Sequence, residues 1–408
     1  MAMPFLGVLI YRFPSKKIKV IGITGTNGKT TTVSMAAEIL ERAGHKTAFF
    51  SSVKSRIGKK EEPNLLKMTM PGRMTIQKFL RKAVNSGCRY AILEVSSEGI
   101  KQFRHLWVDF DIALITNLSP EHIEAHGSFD NYRKAKGELF KAAQKTHIIN
   151  LDDEHKSFFL SFPAEKKWGF GTKIDFFPEG KMVKAENCIA DIEGIRFRIE
   201  NVDFNVPLLG YFNIYNALAA VSVGLACGAD LEVCRDALGK IGTVPGRMEE
   251  VISEPFKVII DYAVTPDALE RLYQTIAEIY PTGKIIAVLG SCGGGRDKWK
   301  RPVMGEIAGK YCDGVVITNE DPYDEDPIEI INSIAEGVGE KAIKIPDRRE
   351  AIGKALRMAE KGDKIIITGK GSEPWICLAG GKKMSWDDKA VAQEEFQKVK
   401  SQYGHRKI

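Results

Sequence analysis

The chain has 408 residues, 44% of them hydrophobic and 27% charged, and a formal net charge of +6. That length exceeds one ordinary core and predicts two or three domains, while the mild charge, scattered along the sequence, asks for no nucleic-acid partner. The seven cysteines (Cys88, Cys188, Cys227, Cys234, Cys292, Cys312 and Cys377) are odd in number and form no C-x-x-C pair. This argues against a zinc ribbon or a disulfide frame and predicts reduced, mostly buried thiols in a cytoplasmic protein.

The opening MAMPFLGVLIY is apolar but short, with no charged start and no small-residue cleavage site. It reads as a leading arm over residues 1–15, not as a signal peptide or a membrane span. Ile18–Thr32 follows as an apolar strand, a turn of Gly25-Thr26-Asn27-Gly28, and Lys29-Thr30-Thr31 opening a helix through Met35, Ile39 and Leu40. This is a phosphate cradle: backbone N–H groups and the helix N-terminus face phosphate, Lys29 reaches the outer phosphates, and the Thr30 hydroxyl suits Mg2+. A strict pattern has glycine at Ile23, and here the glycine is Gly22, so the loop is a variant.

Thr47–Ser52 reads as a strand, Lys54–Lys67 as a solvent loop, Thr75–Ala83 as a helix, and Tyr90–Ser97 as a buried strand carrying Glu94. Ile112–Thr116 is an apolar strand that runs into Asn117, Glu121, His122 and His126. A helix over Asn131–Lys145 and a strand over His147–Asn150 complete an alternating pattern, which predicts a mainly parallel sheet. Between Lys166 and Pro207 the short runs Ile174–Phe177, Ile195–Ile199 and Phe204–Leu209 suggest a small antiparallel piece, followed by helices Asn213–Gly228 and Leu231–Ile241.

A boundary is expected near Thr243–Gly246. Beyond it the pattern restarts: strands Val258–Tyr262, Ile285–Leu289, Gly314–Thr318 and Lys364–Thr368, and helices Pro266–Ile279, Val303–Tyr311, Ile328–Glu336 and Arg349–Ala359. The expected class is α/β, with a P-loop-type central domain over residues 16–243 and a Rossmann-like C-terminal domain over 244–408. A terminal helix is expected over Gln393–Lys400.

Read from residue chemistry alone, Thr30 and Glu94 are oxygen ligands suited to Mg2+. His122 either joins a metal site, orients a phosphate or is an ordinary satisfied imidazole. Ser291–Lys298 offers a second glycine-rich, anion-friendly turn, and NEDPYDEDP (Asn319–Pro327) either caps a helix or presents carboxylates to a cation.

The words FPSKKIKVIGITGTNGKTTT, LEVSSEGIKQFR, ITNLSPEHIEAHGSFDNYRKAKGELF, GYFNIYNALAA, VPGRMEEV, IIDYAVTPDALE, GGGRDKWKRPVMGEIA and ITGKGSE occur in this order. Together they resemble the Mur ligases, ATP-dependent amino-acid ligases of peptidoglycan precursor synthesis, and most nearly the members that add the third stem-peptide residue. The resemblance implies ATP and Mg2+ as cofactors. It implies a UDP-muramoyl dipeptide and a diamino acid as substrates, joined through an acyl phosphate by a cytoplasmic, monomeric enzyme.

It assigns ATP to Gly25–Thr31, Asn117, Asn216, Arg247 and Asp261, and metal to Thr30, Glu94 and His122. Lys136 falls on a lysine that becomes carbamylated. Thr69, Ser96, Gln102 and Arg104 fall on muramoyl-substrate positions. Arg296, Glu320, Asp321, Tyr323, Gly369 and Glu373 fall on the amino-acid pocket.

The chain also departs from the pattern. The phosphate loop begins near residue 20, so the usual N-terminal uridine-binding domain is expected to be absent. Glu98 replaces the histidine of EVSSH, Val264 that of DYAH, and Met70 interrupts Thr-Thr-Pro. Glu320-Asp321-Pro322-Tyr323 stands where diaminopimelate enzymes carry Asp-Asn-Pro-Arg. Loss of that arginine predicts an amine such as lysine or ornithine. Two other readings stay open: the same chemistry on a lipid-linked or non-uridine acceptor, and an ATP-driven switch protein without an acceptor.

Overall fold

A computed structural model describes residues Gly7–Gly404, and the first six residues of the expected leading arm lie outside it. The chain forms two compact units. One runs to Glu121 and resumes over His126–Gly242; the other takes His122–Ala125 and the chain from Thr243.

The first unit is built on strands β1 (Lys19–Thr24), β2 (Thr47–Phe50), β3 (Lys54–Ile57), β4 (Lys60–Pro63), β5 (Tyr90–Glu94), β6 (Phe110–Ile115), β7 (Thr146–Asn150), β8 (Lys166–Gly171) and β9 (Lys181–Lys184). They form a nine-stranded sheet in the order β4-β3-β2-β5-β1-β6-β7-β8-β9. Pairing is parallel from β2 through β5, β1, β6, β7 and β8 to β9, and antiparallel between β2 and β3 and within the β3–β4 hairpin.

That hairpin corrects the expected solvent loop over Lys54–Lys67. Its residues are charged because it is a half-exposed edge, where lysine and glutamate discourage pairing with another chain. Ile174–Phe177 is irregular instead of extended, and the antiparallel piece consists of β10 (Glu186–Asp191), β11 (Gly194–Ile199) and β12 (Val202–Val206).

The central strand β1 is buried from Val20 onward, as expected of a strand covered on both faces. The Lys29–Arg42 helix buries Val33, Met35, Ala36, Ile39 and Leu40 in the same core as Ile21 and Ile23. The Phe212–Ala226 helix is apolar nearly all round and correspondingly buried. Its Gly224 lets the two helices approach, since a Cβ there would stand 2.6 Å from Ile39 Cγ2.

The second unit holds β13 (Glu249–Ile252), β14 (Lys257–Asp261), β15 (Ile285–Leu289), β16 (Gly314–Ile317), β17 (Ala342–Lys344) and β18 (Lys364–Thr368), with a small ribbon of β19 (Trp375–Cys377) and β20 (Lys383–Ser385). The six-stranded sheet has the order β13-β14-β18-β15-β16-β17 and is parallel apart from β13. In both units the parallel strands deliver loops to their carboxyl ends, where open α/β sheets bind ligands. Truncating a fully buried side chain such as Ile92 or Ile366 should cost about 2–5 kcal/mol.

Candidate active site

The candidate phosphate loop is shaped by two glycines at which any side chain would be strained. Gly25 has φ +147° and Gly28 has φ +82°. A Cβ on Gly25 would lie 1.9 Å from Thr116 Oγ1, and one on Gly28 would lie 2.1 Å from Asn216 Oδ1. The loop is pinned by the end of β6: the Thr26 N–H donates to the Asn117 carbonyl at 2.9 Å, and the Asn27 N–H to Asn117 Oδ1 at 2.9 Å. Thr116 Oγ1 donates to the Asn27 carbonyl at 2.7 Å. Asn117 and Asn216 therefore define the loop from two sides.

Two lysines converge on one carbonyl of this loop. Lys29 Nζ donates to Gly25 O at 3.0 Å and to Thr26 O at 2.8 Å, and Lys136 Nζ donates to Gly25 O at 2.8 Å. Lys136 is 2% exposed. Burial, and then the positive charge of Lys29, hold its amine well below the usual lysine range, while Glu121 and Glu94 pull the other way. Its Nζ also stands 4.6 Å from the centre of the Tyr132 ring.

Beside them, Glu94 is buried at the end of β5. Its carboxylate accepts from Thr30 Oγ1 at 3.0 Å, the Ser52 N–H at 2.8 Å and Ser52 Oγ at 3.0 Å. Ser52 Oγ in turn donates to Thr69 Oγ1 at 3.0 Å. Hydroxyl and carboxylate oxygens with no sulfur or nitrogen among them form a donor set that suits a hard divalent cation such as Mg2+.

Of the muramoyl-substrate candidates, Ser96 caps the short Ser97–Lys101 helix, accepting from the Gly99 N–H at 3.1 Å. Arg104 donates to Gln102 Oε1 at 2.5 Å and to the Met70 carbonyl. Glu98 has a partner in the same unit: His126 Nε2 lies 3.4 Å from its carboxylate.

His122 lies in the second unit with a left-handed φ of +57°, and its Nδ1 is 3.4 Å from Arg296 Nη1. In that unit, Asp261 ends β14 and accepts from the Met248 N–H at 2.8 Å. Burial pushes its carboxyl up to about 6, against the pull of Arg247. The Arg247 guanidinium sits 4.6 Å from the Tyr262 ring centre.

The loops after β16 and β18 form an acid cluster around a fully buried lysine. Lys370 Nζ donates to both Asp321 oxygens at 3.0 and 2.9 Å and to Glu373 Oε2 at 2.7 Å. The Tyr262 hydroxyl donates to Glu373 at 3.1 Å, and the Cys292 thiol to Glu320 at 3.0 Å. Burial and the neighbouring Asp321 raise the Glu320 carboxyl. Gly369, at φ +103°, admits Glu320, because a Cβ there would lie 2.5 Å from Glu320 Oε2. Tyr323 also takes a left-handed φ, +52°.

Ser52, Tyr262, Cys292 and Lys370 hydrogen-bond to candidate residues and were not singled out from the sequence. Lys370 had a usable signal, because an i,i+3 lysine–glutamate pair in a glycine turn after a buried strand is compact enough to close on itself. The others had none, since their partners are distant in sequence.

Comparison with known proteins follows the same division. A family model described as the Mur ligase middle domain matches residues 23–224, and one described as the Mur ligase, glutamate ligase domain matches residues 246–371. A UDP-N-acetylmuramoyl-L-alanyl-D-glutamate–2,6-diaminopimelate ligase of Caldanaerobacter subterraneus subsp. tengcongensis is 38% identical over 403 residues, covering 96% of this chain and 81% of the relative. A UDP-N-acetylmuramyl-tripeptide synthetase of a Roseiflexus species is 36% identical over 414 residues, covering 95% and 80%. A solved UDP-N-acetylmuramoyl-L-alanyl-D-glutamate–2,6-diaminopimelate ligase superimposes with TM-score 0.62 at 29% identity, over 95% of this chain and 79% of the other. A Mycobacterium tuberculosis folylpolyglutamate synthase shares the fold, with TM-score 0.75 at 18% identity over 90% and 92%.

Proposed function

The chain belongs to the Mur ligase family, and we propose that it is an ATP-dependent ligase joining a diamino acid to UDP-N-acetylmuramoyl-L-alanyl-D-glutamate in peptidoglycan precursor synthesis. The observation that carries this reading is the convergence of Lys29 and Lys136 on the Gly25 carbonyl, next to the Thr30–Glu94 pair.

The glutamyl carboxylate of the acceptor attacks the γ-phosphorus of ATP, giving an acyl phosphate and ADP. The free amine of the incoming amino acid then adds to the acyl carbon. Loss of a proton from nitrogen and collapse of the tetrahedral adduct leave an amide and inorganic phosphate. Phosphoryl transfer of this kind needs positioning and charge neutralisation above all. Lys29 and the N–H groups of Asn27–Thr31 would hold the β- and γ-phosphates. Asn117 and Asn216 fix the loop, and Arg247 and Asp261 would take the nucleoside.

Thr30 and Glu94, oxygen donors of the first unit, would hold Mg2+, whose charge would offset the negative charge gathered during transfer; His122, given to metal by the family resemblance, belongs to the other unit. The depressed Lys136 amine is the form able to take up carbon dioxide as a carbamate, which would exchange a cation for an anion there. Ser96, Gln102, Arg104 and Thr69 would meet the muramoyl peptide. A cytoplasmic location is part of the proposal, and no described helix is long and apolar enough to cross a membrane.

The relatives' names speak for diaminopimelate as the amine. The loop chemistry favours a side chain ending in a bare ammonium, because Tyr323 replaces the arginine and Glu320 and Glu373 supply negative charge. Incubation with ATP, Mg2+, the UDP-muramoyl dipeptide and lysine, ornithine or meso-diaminopimelate tests both levels, read by phosphate release and product mass. A tripeptide mass with one phosphate per product is expected, with lysine or ornithine ahead of diaminopimelate. A strong preference for diaminopimelate overturns the loop argument alone. Phosphate release that ignores the acceptor overturns the ligase reading.

A further inference from the structure

Six of the large hydrophobic side chains exposed among the described residues lie in three neighbouring stretches of the first unit: Leu9, Ile10, Leu65, Leu66, Phe103 and Trp107. Phe103 is 55% exposed and Trp107 52%, and both hold a left-handed backbone, φ +57° and +63°. That conformation is uncommon for a bulky residue, and here it places two aromatic rings in water.

The stretches are stitched together through the Arg73–Asn85 helix. Arg81 donates to the carbonyls of Tyr11 and Arg12 at 2.7 and 2.9 Å, Gln77 Nε2 to the Trp107 carbonyl at 3.3 Å, and Arg73 Nε to the Gln102 carbonyl at 3.1 Å. Arg104 closes the set on the Met70 carbonyl.

Their charge is one-sided. Residues 7–19, 65–85 and 97–107 together carry eleven lysines and arginines against a single acid, Glu98. That surplus of ten exceeds the +6 of the whole chain, so the rest of the molecule is net negative. Of these cations, Arg73, Arg81 and Arg104 are held here by the hydrogen bonds above, while Lys19 lies over the Tyr90 ring.

We propose that this face docks the protein on an anionic lipid bilayer. Tryptophan, phenylalanine and leucine enter the headgroup boundary, while lysine and arginine meet acidic headgroups. Protruding aliphatic and aromatic side chains within a cationic surround are what an interfacial contact requires. A single nucleotide ligand would use fewer hydrophobic groups in a closed pocket. The docking is peripheral, and Phe103 lies between Gln102 and Arg104, two of the residues that would meet the muramoyl peptide.

The test is co-sedimentation of the full chain with vesicles of about one-third phosphatidylglycerol in phosphatidylcholine, at about 0.1 M salt. Binding to these vesicles and not to pure phosphatidylcholine is expected. Raising the salt should weaken it, and Phe103→Ser with Trp107→Ser should cut it by at least about tenfold. Both side chains are exposed, so the double variant should melt with the wild type; brominated-lipid quenching of tryptophan fluorescence that is lost in Trp107→Phe, which keeps the other four tryptophans, reads the same contact.

No binding to the anionic vesicles, or binding that survives in the double variant, overturns the proposal. A concentration-dependent dimer that disappears in the variant assigns the face to a second copy. Loss of ligation with vesicle binding intact assigns it to the acceptor. Either result also overturns the proposal.

Discussion

Lys136 loses more by burial than its neighbours return. Its amine is depressed first by desolvation and then by Lys29, with Glu121 and Glu94 only partly compensating. The sign of the consequence follows from proton counts. Below the unfolded lysine value the unfolded chain binds a proton that the folded chain resists, so this residue makes stability rise with pH toward about 10.4, and costs stability at neutral pH. In carbonate-free buffer, Lys136→Met should therefore melt above the wild type at pH 7, with a gap that narrows toward pH 10. The same variant should lose ligation by at least about 100-fold, because a group aimed at the phosphate loop is gone. Calorimetry at two pH values beside a coupled phosphate assay reads both; a variant that melts lower at pH 7 contradicts the burial argument.

Asp261 carries the opposite charge and the same kind of penalty. Its carboxyl is pushed up to about 6, above the unfolded value of about 3.9. Between those values the folded chain binds the extra proton, so its contribution to stability falls as pH rises through this window and stays lost at neutral pH. For nucleotide binding the ionised form is the useful one, since it accepts hydrogen bonds from ribose hydroxyls. KM for ATP should rise as pH falls through about 6, and in Asp261→Asn it should be high and flat across that range. Steady-state kinetics from pH 5 to 8, as a rough span around that value, distinguish the two.

At the scale of elements, the strand–loop–helix of residues 19–42 is a geometric device. Gly28→Ala meets Asn216 Oδ1 at 2.1 Å and a left-handed φ at once, so the change is expected to cost about 1–3 kcal/mol and to weaken ATP binding. Isothermal titration with ATP and a thermal melt measure the two effects. Asn216→Ala in the same background removes the collision and should restore part of the stability.

This element was legible because its signals are local: apolar alternation, glycine at the turn, and Lys-Thr at the helix start. The same locality recovered β14, β15 and β18 and the Pro266–Ile279 helix, whose cap is Thr265 with proline at the first position. The β3–β4 hairpin was missed because its strands are charged and half-exposed, so composition resembled a loop while pairing was decided by the neighbouring β2 edge. Ile174–Phe177 alternates like a strand yet finds no partner, and a strand without a ladder does not form. The candidate site was legible where a motif points to it, as at Gly25–Thr31 and Glu94. It was opaque where partners meet only on folding, as with Ser52 on Glu94 and Lys370 on Asp321.

At the scale of the whole molecule, each unit carries its own set of candidate residues. One carries the phosphate loop with Lys29, Lys136 and Glu94; the other carries the acid cluster of Glu320, Asp321 and Glu373 around Lys370. Asp321 is fully buried and both its oxygens are held by Lys370, so it organises that cluster; in the proposed reaction Glu320, and Glu373 which also pairs with Lys370, would meet an incoming ammonium. In the proposed reaction the acyl phosphate is productive only when the amine is present, because the gain from bringing reactants together is realised in the second step. Phosphate release with ATP and the UDP-muramoyl dipeptide should therefore rise by about 100-fold when the amine is added. Glu373→Gln should raise KM for the amine and leave that for ATP unchanged, since Glu373 lies with the acid cluster and is held by Tyr262 and Lys370. A rise in both constants would mean that Glu373 acts on the fold of the second unit, and a rise in neither would remove it from the amine pocket.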